Sequence, residues 1–136
     1  YGSNNMQTTQ KFAKSKNVIW ITVISSAEGK QGYIQPNDAL NTFASFGSFP
    51  DHILVDENGD LGKKFNAKTT PHIFIADKDK NIVYQGAIDD AGGSRFWTTD
   101  LNQSTNFVKK VVNDIKSNKP LSVSKTRPYG CSVKYG

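Results

Sequence analysis

The segment Ala67-Lys68-Thr69-Thr70-Pro71-His72-Ile73-Phe74-Ile75-Ala76 decides how the rest of the chain is interpreted. Its apolar part, from His72 to Ala76, is rich in β-branched and aromatic residues and ends at a polar run, which predicts a buried strand. Pro71 has no amide hydrogen, so it belongs at the first position of that strand or just before it. Thr70 precedes a proline and is therefore biased toward the extended conformation of a strand lead-in.

The Thr70-Pro71 pair in front of an apolar strand also resembles the cis-proline loop of thioredoxin-like proteins. In that loop a cis peptide bond presents a bare backbone edge to the redox cysteines and their substrate. The local sequence alone favours an ordinary proline at a strand start, because only about 5–6% of such bonds in folded proteins are cis. The choice between the two interpretations depends on the rest of the chain.

Composition restricts the classes of function. The 136 residues suffice for one domain with a hydrophobic core, and 36% hydrophobic residues with a mean hydropathy of −0.54 describe a rather polar chain. No apolar run approaches the ~20 residues of a membrane span. The net charge is +5, but the lysines are dispersed, which does not favour nucleic-acid binding. Cys131 is the single cysteine, so an internal disulfide and a zinc site of several cysteines are excluded.

The periodicity of the chain predicts an α/β order. Helices are expected at 5–15, at about 36–46, at 61–65 and from Ser104 or Thr105, as the cap, to Lys116; strands are expected at 18–24, 52–55, 72–76 and 82–86. The continuous apolar run Val18–Ile24 predicts burial on both faces of its strand. In the second helix the residues expected to face inward are Ala39, Leu40, Phe43 and Ala44. An extended tail, 121–136, completes the chain.

Several short motifs occur in the order seen in one known family. They are Tyr1-Gly2-Ser3 with Asn5-Met6, Val18 to Ser26, Gly29-Lys30-Gln31-Gly32, Asp56 with Gly59, Ala67 to His72, Tyr84 with Gly86-Ala87-Ile88-Asp89-Asp90, and Pro128 to Tyr135. This set resembles the redoxin branch of the thioredoxin-like superfamily, related to alkyl hydroperoxide reductase and thiol-specific antioxidant proteins. The resemblance implies a thioredoxin-like fold over residues 1–120, a mixed sheet flanked by helices, followed by the tail.

The resemblance also implies a departure at the start of the chain. In the family, the central strand and a Cys-Pro motif precede the part that Tyr1-Gly2-Ser3 matches, and the attacking cysteine opens the helix that Asn5–Ser15 continues. A helix N-terminus stabilises a thiolate, which explains that placement. The sequence does not begin with methionine and shows no signal peptide, so we expect a processed product or a fragment. On this basis the chain is expected to be inactive alone.

The resemblance assigns candidate roles to five residues. It implies a thiol-disulfide oxidoreductase or peroxiredoxin-type antioxidant protein acting on a thiol, disulfide or peroxide substrate, without a cofactor or metal. Thr70 and Pro71 would present backbone to the substrate, His72 and Thr69 would contact it, and Cys131 would be a resolving or accessory thiol. The same resemblance favours an exported, periplasmic bacterial protein.

Each candidate site has a plainer alternative. His72 is also expected as a half-buried, hydrogen-bonded strand residue, and Cys131 as an exposed tail residue without a redox role. Asp89 and Asp90, possible acid-base groups, more simply form a solvated turn. The run Asp56–Asp60 suggests a calcium loop, but Ala67 stands where the twelfth-position carboxylate is required, which excludes that site.

The absent central strand opens a second functional hypothesis. Without that strand, two apolar strands would expose unpaired edges, which proteins normally avoid. A strand-donating segment or partner chain is therefore expected to fill the position. In that case the chain would be a non-catalytic binding or assembly protein whose open sheet slot accepts a strand.

Overall fold

The computed structural model describes residues 4–91 and 105–136. The chain divides into two compact units, Tyr1–Ala67 with Ser132–Gly136, and Lys68–Cys131. Both units contain helices and strands, so the chain belongs to the mixed α/β class that the sequence predicts.

The first unit alternates helices and strands. Its elements are α1 (Asn5–Ser15), β1 (Ile21–Ile24), a 3-10 turn (Pro36–Asp38), α2 (Ala39–Ser45), β2 (His52–Val55) and α3 (Asp60–Lys64). Each of the predicted elements is present within a few residues of its expected position. Pro36 occupies the first turn, as expected for a residue without an amide hydrogen.

The strands β1 and β2 form a parallel ladder in which Ile21 lies opposite His52. The His52 amide donates to the Trp20 carbonyl at 3.2 Å, and the Asp56 amide donates to the Ile24 carbonyl at 2.8 Å. In a parallel ladder alternate residues turn both main-chain groups toward the partner strand. The residues between them, namely Ile21, Val23, Ile53 and Val55, therefore direct their main-chain groups to the two outer edges of this sheet.

Within residues 4–91 and 105–136, only one face of the β1–β2 sheet is covered. Ile24, Ala39 and Phe43 form the buried cluster of this unit, with Ile53 and Val55 packed against it. Side chains alternate between the two faces of a strand, so the residues between the packed ones point to the opposite face. In β1 these residues are Ile21 and Val23.

The prediction that 18–24 is buried on both faces is therefore wrong. The strand begins only at Ile21, and the Ile21 and Val23 side chains are 52% and 40% exposed. Within α2, the prediction holds for Ala39 and Phe43 and fails for Leu40 and Ala44, which are exposed. The reason is that a helix of 7 residues buries a single stripe at spacing i, i+4.

Helix α1 is held by buried polar groups as well as by Ala13. The Gln7 side-chain amide donates to the Phe46 carbonyl at 2.6 Å. The Gln10 side-chain oxygen accepts from the Ser48 hydroxyl at 3.0 Å. These bonds fix the helix against the loop between α2 and β2, since buried polar groups are costly without partners.

The second unit contains β3 (Thr69–Thr70), β4 (Ile73–Ala76), β5 (Ile82–Gly86), α4 (Phe107–Lys116) and the start of β6 (Cys131–Ser132). β4 and β5 form the predicted antiparallel hairpin, with a bulge between Ile75 and Ala76. The Asp77 carboxylate accepts from the Asp79 and Asn81 amides and closes the turn. The β4 residues are half-buried or exposed, so the expectation of a buried strand is met only in part.

Helix α4 is amphipathic and buries Val108, Val111 and Val112. Its cap is Asn106, whose side-chain oxygen accepts from the Lys109 amide at 2.9 Å. Thr105 precedes the cap, so the predicted capping residue is wrong by one position. Asparagine is at least as good an N-cap as threonine. The alternative, Ser104, lies outside the described residues.

Candidate functional site

The candidate site is built where the tail returns to the segment before Pro71. The strand β6, which opens with Cys131, pairs with β3, Thr69–Thr70. Cys131 is a free thiol and is exposed. The pairing brings together Cys131 and the Thr70-Pro71 dipeptide, which are far apart in the sequence.

Gly130 makes this close approach possible. Its φ is +134°, and a Cβ at this position would overlap the Thr70 carbonyl and lie 3.3 Å from Pro71 Cδ. Only glycine combines that φ with that proximity at low cost. The Thr70-Pro71 bond is cis. The backbone of the tail is therefore packed directly on the loop that carries Pro71.

The two threonines of β3 differ in their surroundings. The Thr69 hydroxyl donates to the Pro71 carbonyl at 2.7 Å and is half-buried. It thus shapes the loop rather than presenting an unoccupied donor. The Thr70 side chain is exposed next to the tail strand.

His72 is both hydrogen-bonded and half-buried. Its Nδ1 accepts from the Lys68 amide at 3.1 Å, and its ring stacks on Phe74 with 4.5 Å between centroids. Partial burial, followed by the charge of Lys68, lowers the pKa of His72 from its ordinary 6.5. An accepting Nδ1 requires the ring proton on Nε2. His72 is therefore a neutral ring that offers one N–H donor.

A closed set of hydrogen bonds anchors the tail before Cys131. The Tyr84 hydroxyl donates to the Ala87 carbonyl at 2.5 Å and lies 2.6 Å from the Thr126 hydroxyl oxygen. The Ala87 amide donates to the same Thr126 oxygen at 2.9 Å. Since Tyr84 has one proton and gives it to Ala87, Thr126 donates to Tyr84. The fully buried Tyr84 is thereby satisfied by the tail.

A second anchor lies closer to the cysteine. The Tyr129 hydroxyl donates a short hydrogen bond to the Asp89 carboxylate, which also accepts from the Ala91 amide at 3.0 Å. Burial, and then the hydrogen bond and charge of Asp89, raise the pKa of Tyr129 far above its usual value. Asp89 is 1% exposed. The interpretation of Asp89 as part of a solvated turn is therefore wrong, whereas Asp90 is exposed as expected.

Thr126, Tyr129 and Asp89 were not among the site residues predicted from the sequence. Thr126 and Tyr129 lie in a stretch predicted only as extended, and Asp89 precedes a polar loop. One signal was available, since Ala87 and Ile88, both buried, run directly into Asp89. A carboxylate that continues a buried run requires a donor, and Tyr129 supplies it.

Two further expectations concern metals and membranes. Within 4–91 and 105–136, no group of three or more His, Cys, Asp or Glu side chains is arranged to hold a metal ion. In the same part of the chain, no helix combines the length and the apolar character that crossing a bilayer requires.

Comparison with known proteins gives a structural likeness without a functional one. No protein-family profile and no curated protein matches the chain. An uncharacterized conserved protein from Geobacillus kaustophilus is similar in structure, with a TM-score of 0.79 and 20% identity over 98% of this chain and 70% of that one. A hypothetical protein from Sinorhizobium meliloti 1021 gives 0.77 and 18% over 96% and 70%.

At these identities the likeness establishes the fold alone. The site and the fold together define a small mixed α/β protein with an exposed thiol placed beside a Thr-Pro loop.

Proposed function

We propose that this chain is a thioredoxin-like redoxin of the thiol-disulfide oxidoreductase or peroxiredoxin type. The observation that carries the proposal is the exposed Cys131 on a strand paired with Thr69–Thr70, immediately before Pro71. A thiol on a paired strand has a defined position, which a thiol in an unanchored tail lacks. The anchors at Thr126 and Tyr129 support the same conclusion, because they hold the tail along the unit that carries Pro71.

In the proposed reaction Cys131 is the resolving thiol. A second thiolate, from a segment or chain outside this sequence, attacks a peroxide: an S–O bond forms and the O–O bond breaks. The departing hydroxide or alkoxide takes up a proton from solvent and leaves as water or an alcohol. The Cys131 thiolate then attacks the sulfenic sulfur. An S–S bond forms, the S–O bond breaks, and the hydroxide takes up a proton and leaves as water. A dithiol reductant afterwards reduces the disulfide.

Four neighbouring residues have proposed roles in this step. Thr70 and Pro71 border the position at which the incoming thiol segment meets Cys131, because the pairing of β3 with β6 brings them beside this cysteine. His72 offers its Nε2 proton as a hydrogen-bond donor, and Thr69 holds the Pro71 carbonyl in place. The sequence supplies a single thiol, so the chain alone is proposed not to turn over peroxide.

The experiment is peroxide-dependent oxidation of a dithiol by the natural protein isolated from its host, compared with its Cys131→Ser variant. Loss of the resolving thiol is expected to lower the turnover rate by roughly tenfold or more, because the sulfenic acid then has no nearby thiol. Ser132→Ala, at the adjacent exposed position, is the matched control and is expected to leave the rate unchanged. Unchanged turnover in Cys131→Ser would overturn the proposal.

The proposed thioredoxin-like architecture includes a central strand from outside this sequence, placed against β1. The outer-edge main-chain groups of Ile21 and Val23 have no hydrogen-bond partner among the described residues. Their side chains are exposed, which is unusual for such residues beside an open edge. Both features favour a strand in this position.

The same observation favours a second candidate function, a binding or assembly protein that accepts a strand from another chain at β1. Amide hydrogen exchange distinguishes a strand from the same polypeptide from a strand donated by another chain. Protection of the Ile21 and Val23 amides in the isolated natural protein supports a strand of its own polypeptide. Protection that appears only after a partner chain is added supports the assembly function, and no protection in either state contradicts both.

A further inference from the structure

The opposite edge of the same sheet carries an apolar groove. The main-chain groups of His52 and Asp56 form hydrogen bonds to β1 or to Trp20 directly before it. Because alternate residues point in opposite directions, the main-chain groups of Ile53 and Val55 point away from β1. Within the described part of the chain, no hydrogen bond reaches these outward groups. An edge of this kind is a template for pairing with a further strand.

The groove lies beside that edge and on one face of it. It has a volume of about 290 Å³ and is lined by Pro36, Ala39, Leu40, Pro50, Asp51, His52, Ile53 and Val55. None of the lining residues belongs to β1, which places the groove over β2 on the side away from β1. Leu40 lies at the rim of the groove and is 71% exposed, although its neighbour Ala39 is buried.

The charge of the groove restricts its occupant. Among the described residues that line the groove, Asp51 is the only Asp, Glu, Lys or Arg, and one of its carboxylate oxygens accepts from the Trp20 amide at 2.7 Å. Asp51, Ile53 and Val55 alternate along one strand and its lead-in, so they belong to the same face. Asp51 therefore places one acidic group at the end of the groove next to Trp20, beside apolar side chains.

We propose that the outer edge of β2 binds an extended peptide segment of a partner protein by strand addition. The segment has two β-branched residues at alternate positions, which occupy the groove beside Ile53 and Val55. A lysine or arginine two positions further along lies beside Asp51. Main-chain hydrogen bonds supply affinity in this binding mode, and alternate side chains supply specificity. This binding edge lies away from β1 and does not involve Cys131 or the Thr70-Pro71 loop.

The test uses a capped peptide, Gln-Lys-Gln-Val-Thr-Val-Gln, and its reversed sequence, since a strand can add in either direction. Titration is followed by NMR, and amide hydrogen exchange is measured at saturation. We expect saturable shifts centred on β2 and α2 and slowed exchange of the Ile53 and Val55 amides with one of the two peptides. Shifts confined to Ile21 and Val23, or unchanged exchange at Ile53 and Val55 with both peptides, would overturn the proposal.

Three variants separate groove binding from other contacts. Leu40→Lys places a cation at the rim and is expected to weaken binding roughly tenfold, by like-charge repulsion and loss of apolar contact. Asp51→Asn keeps an oxygen for Trp20 and is expected to weaken binding about threefold at low salt and less at high salt. Leu54→Lys, on the other face of β2, is the matched control. Equal affinity in Leu40→Lys and Leu54→Lys contradicts the proposal.

A second copy of this chain could also occupy the groove, and a measurement of self-association distinguishes it from a partner peptide. Sedimentation of the chain alone, with and without Leu40→Lys, measures it. A monomer in both cases is expected. A dimer that Leu40→Lys dissociates would show that a second copy occupies the groove and would overturn the peptide proposal.

Discussion

Tyr129 donates a hydrogen bond to the buried carboxylate of Asp89, 40 positions away in the chain. The bond fixes the tail two residues before Cys131, on the same unit that carries the Thr70-Pro71 loop. The bond thus links Asp89, which was predicted to lie in a solvated turn, to the tail segment that carries Cys131. The position of Cys131 is therefore determined by tertiary contacts of its neighbours.

Replacing Tyr129 with phenylalanine tests that anchor. The variant keeps the ring but leaves the buried Asp89 carboxylate without one donor, which is expected to lower the free energy of unfolding by about 1–3 kcal/mol. Urea denaturation measures the change. Tyr33→Phe, at a partly exposed tyrosine, is the control and is expected to have little effect. Equal stability of Tyr129→Phe and the parent would show that the anchor is unimportant.

Gly130 allows a sharper test of the tail contact, because the chain provides a matched glycine. In Gly130→Ala the methyl group overlaps the Thr70 carbonyl at an unfavourable φ, whereas Gly29 also has positive φ but open space around it. Gly29→Ala is expected to cost about 1 kcal/mol from φ alone. Gly130→Ala should cost clearly more, and thermal unfolding compares them. Equal losses would mean that the tail does not pack on Thr70.

Asp56 gives a prediction for acid pH. Burial opposes ionisation of Asp56, but hydrogen bonds from the Gly62 amide, the Ser25 hydroxyl and the Leu61 amide outweigh it and lower the pKa. A lowered folded-state pKa stabilises the fold above the unfolded value of 3.8, and this contribution is lost as pH falls through the folded-state pKa.

Asp56→Asn is accordingly expected to destabilise the chain by about 1–2 kcal/mol at pH 7. The difference from the parent should shrink as pH falls below 3.8, because the unfolded carboxyl takes up a proton there before the folded one does. Urea denaturation at a series of pH values measures it. Asp79→Asn, in an exposed turn, is the control, and a pH-independent difference for Asp56→Asn would contradict the assignment.

His72 also titrates with a lowered pKa, but its ionised form is a cation, so the fold disfavours that charged form, whereas it favours the charged form of Asp56. Because its folded-state pKa is lowered, the unfolded chain takes up the proton first, and His72 costs stability as pH falls through 6.5. NMR titration of the ring is expected to give a midpoint below 6.5. Lys68→Gln should raise the midpoint only in part, since burial is the larger cause. A midpoint at or above 6.5 would contradict the described surroundings.

The elements that depend on local pattern were predictable from the sequence. Helix α1 and the β4–β5 hairpin follow from periodicity and from the Asp77–Asn81 turn. Burial was less predictable, because the apolar run Val18–Ile24 does not say which of its faces another element covers. The same limit applies to Leu40, whose helical spacing fits a core position but whose helix is too short to bury it.

The candidate site could be predicted only in part. The motif Ala67–His72 located the loop, and the family resemblance gave Cys131 a candidate redox role. The pairing of the tail strand with Thr69–Thr70, which brings Cys131 to this loop, was not predicted. The anchoring contacts were not predictable, because hydrogen bonds such as that between Tyr129 and Asp89 depend on long-range geometry. Local patterns carry no information on which distant hydroxyl satisfies a buried carboxylate.

The most direct test of the redox proposal is peptide mapping of the natural protein after one equivalent of hydrogen peroxide. Free thiols are alkylated, and the disulfide partner of Cys131 is identified by mass spectrometry. The proposal predicts that Cys131 is recovered in a disulfide with a second cysteine, and that Cys131→Ser accumulates the sulfenic acid of that cysteine instead. A Cys131 that remains fully alkylatable while the protein reduces peroxide would contradict it.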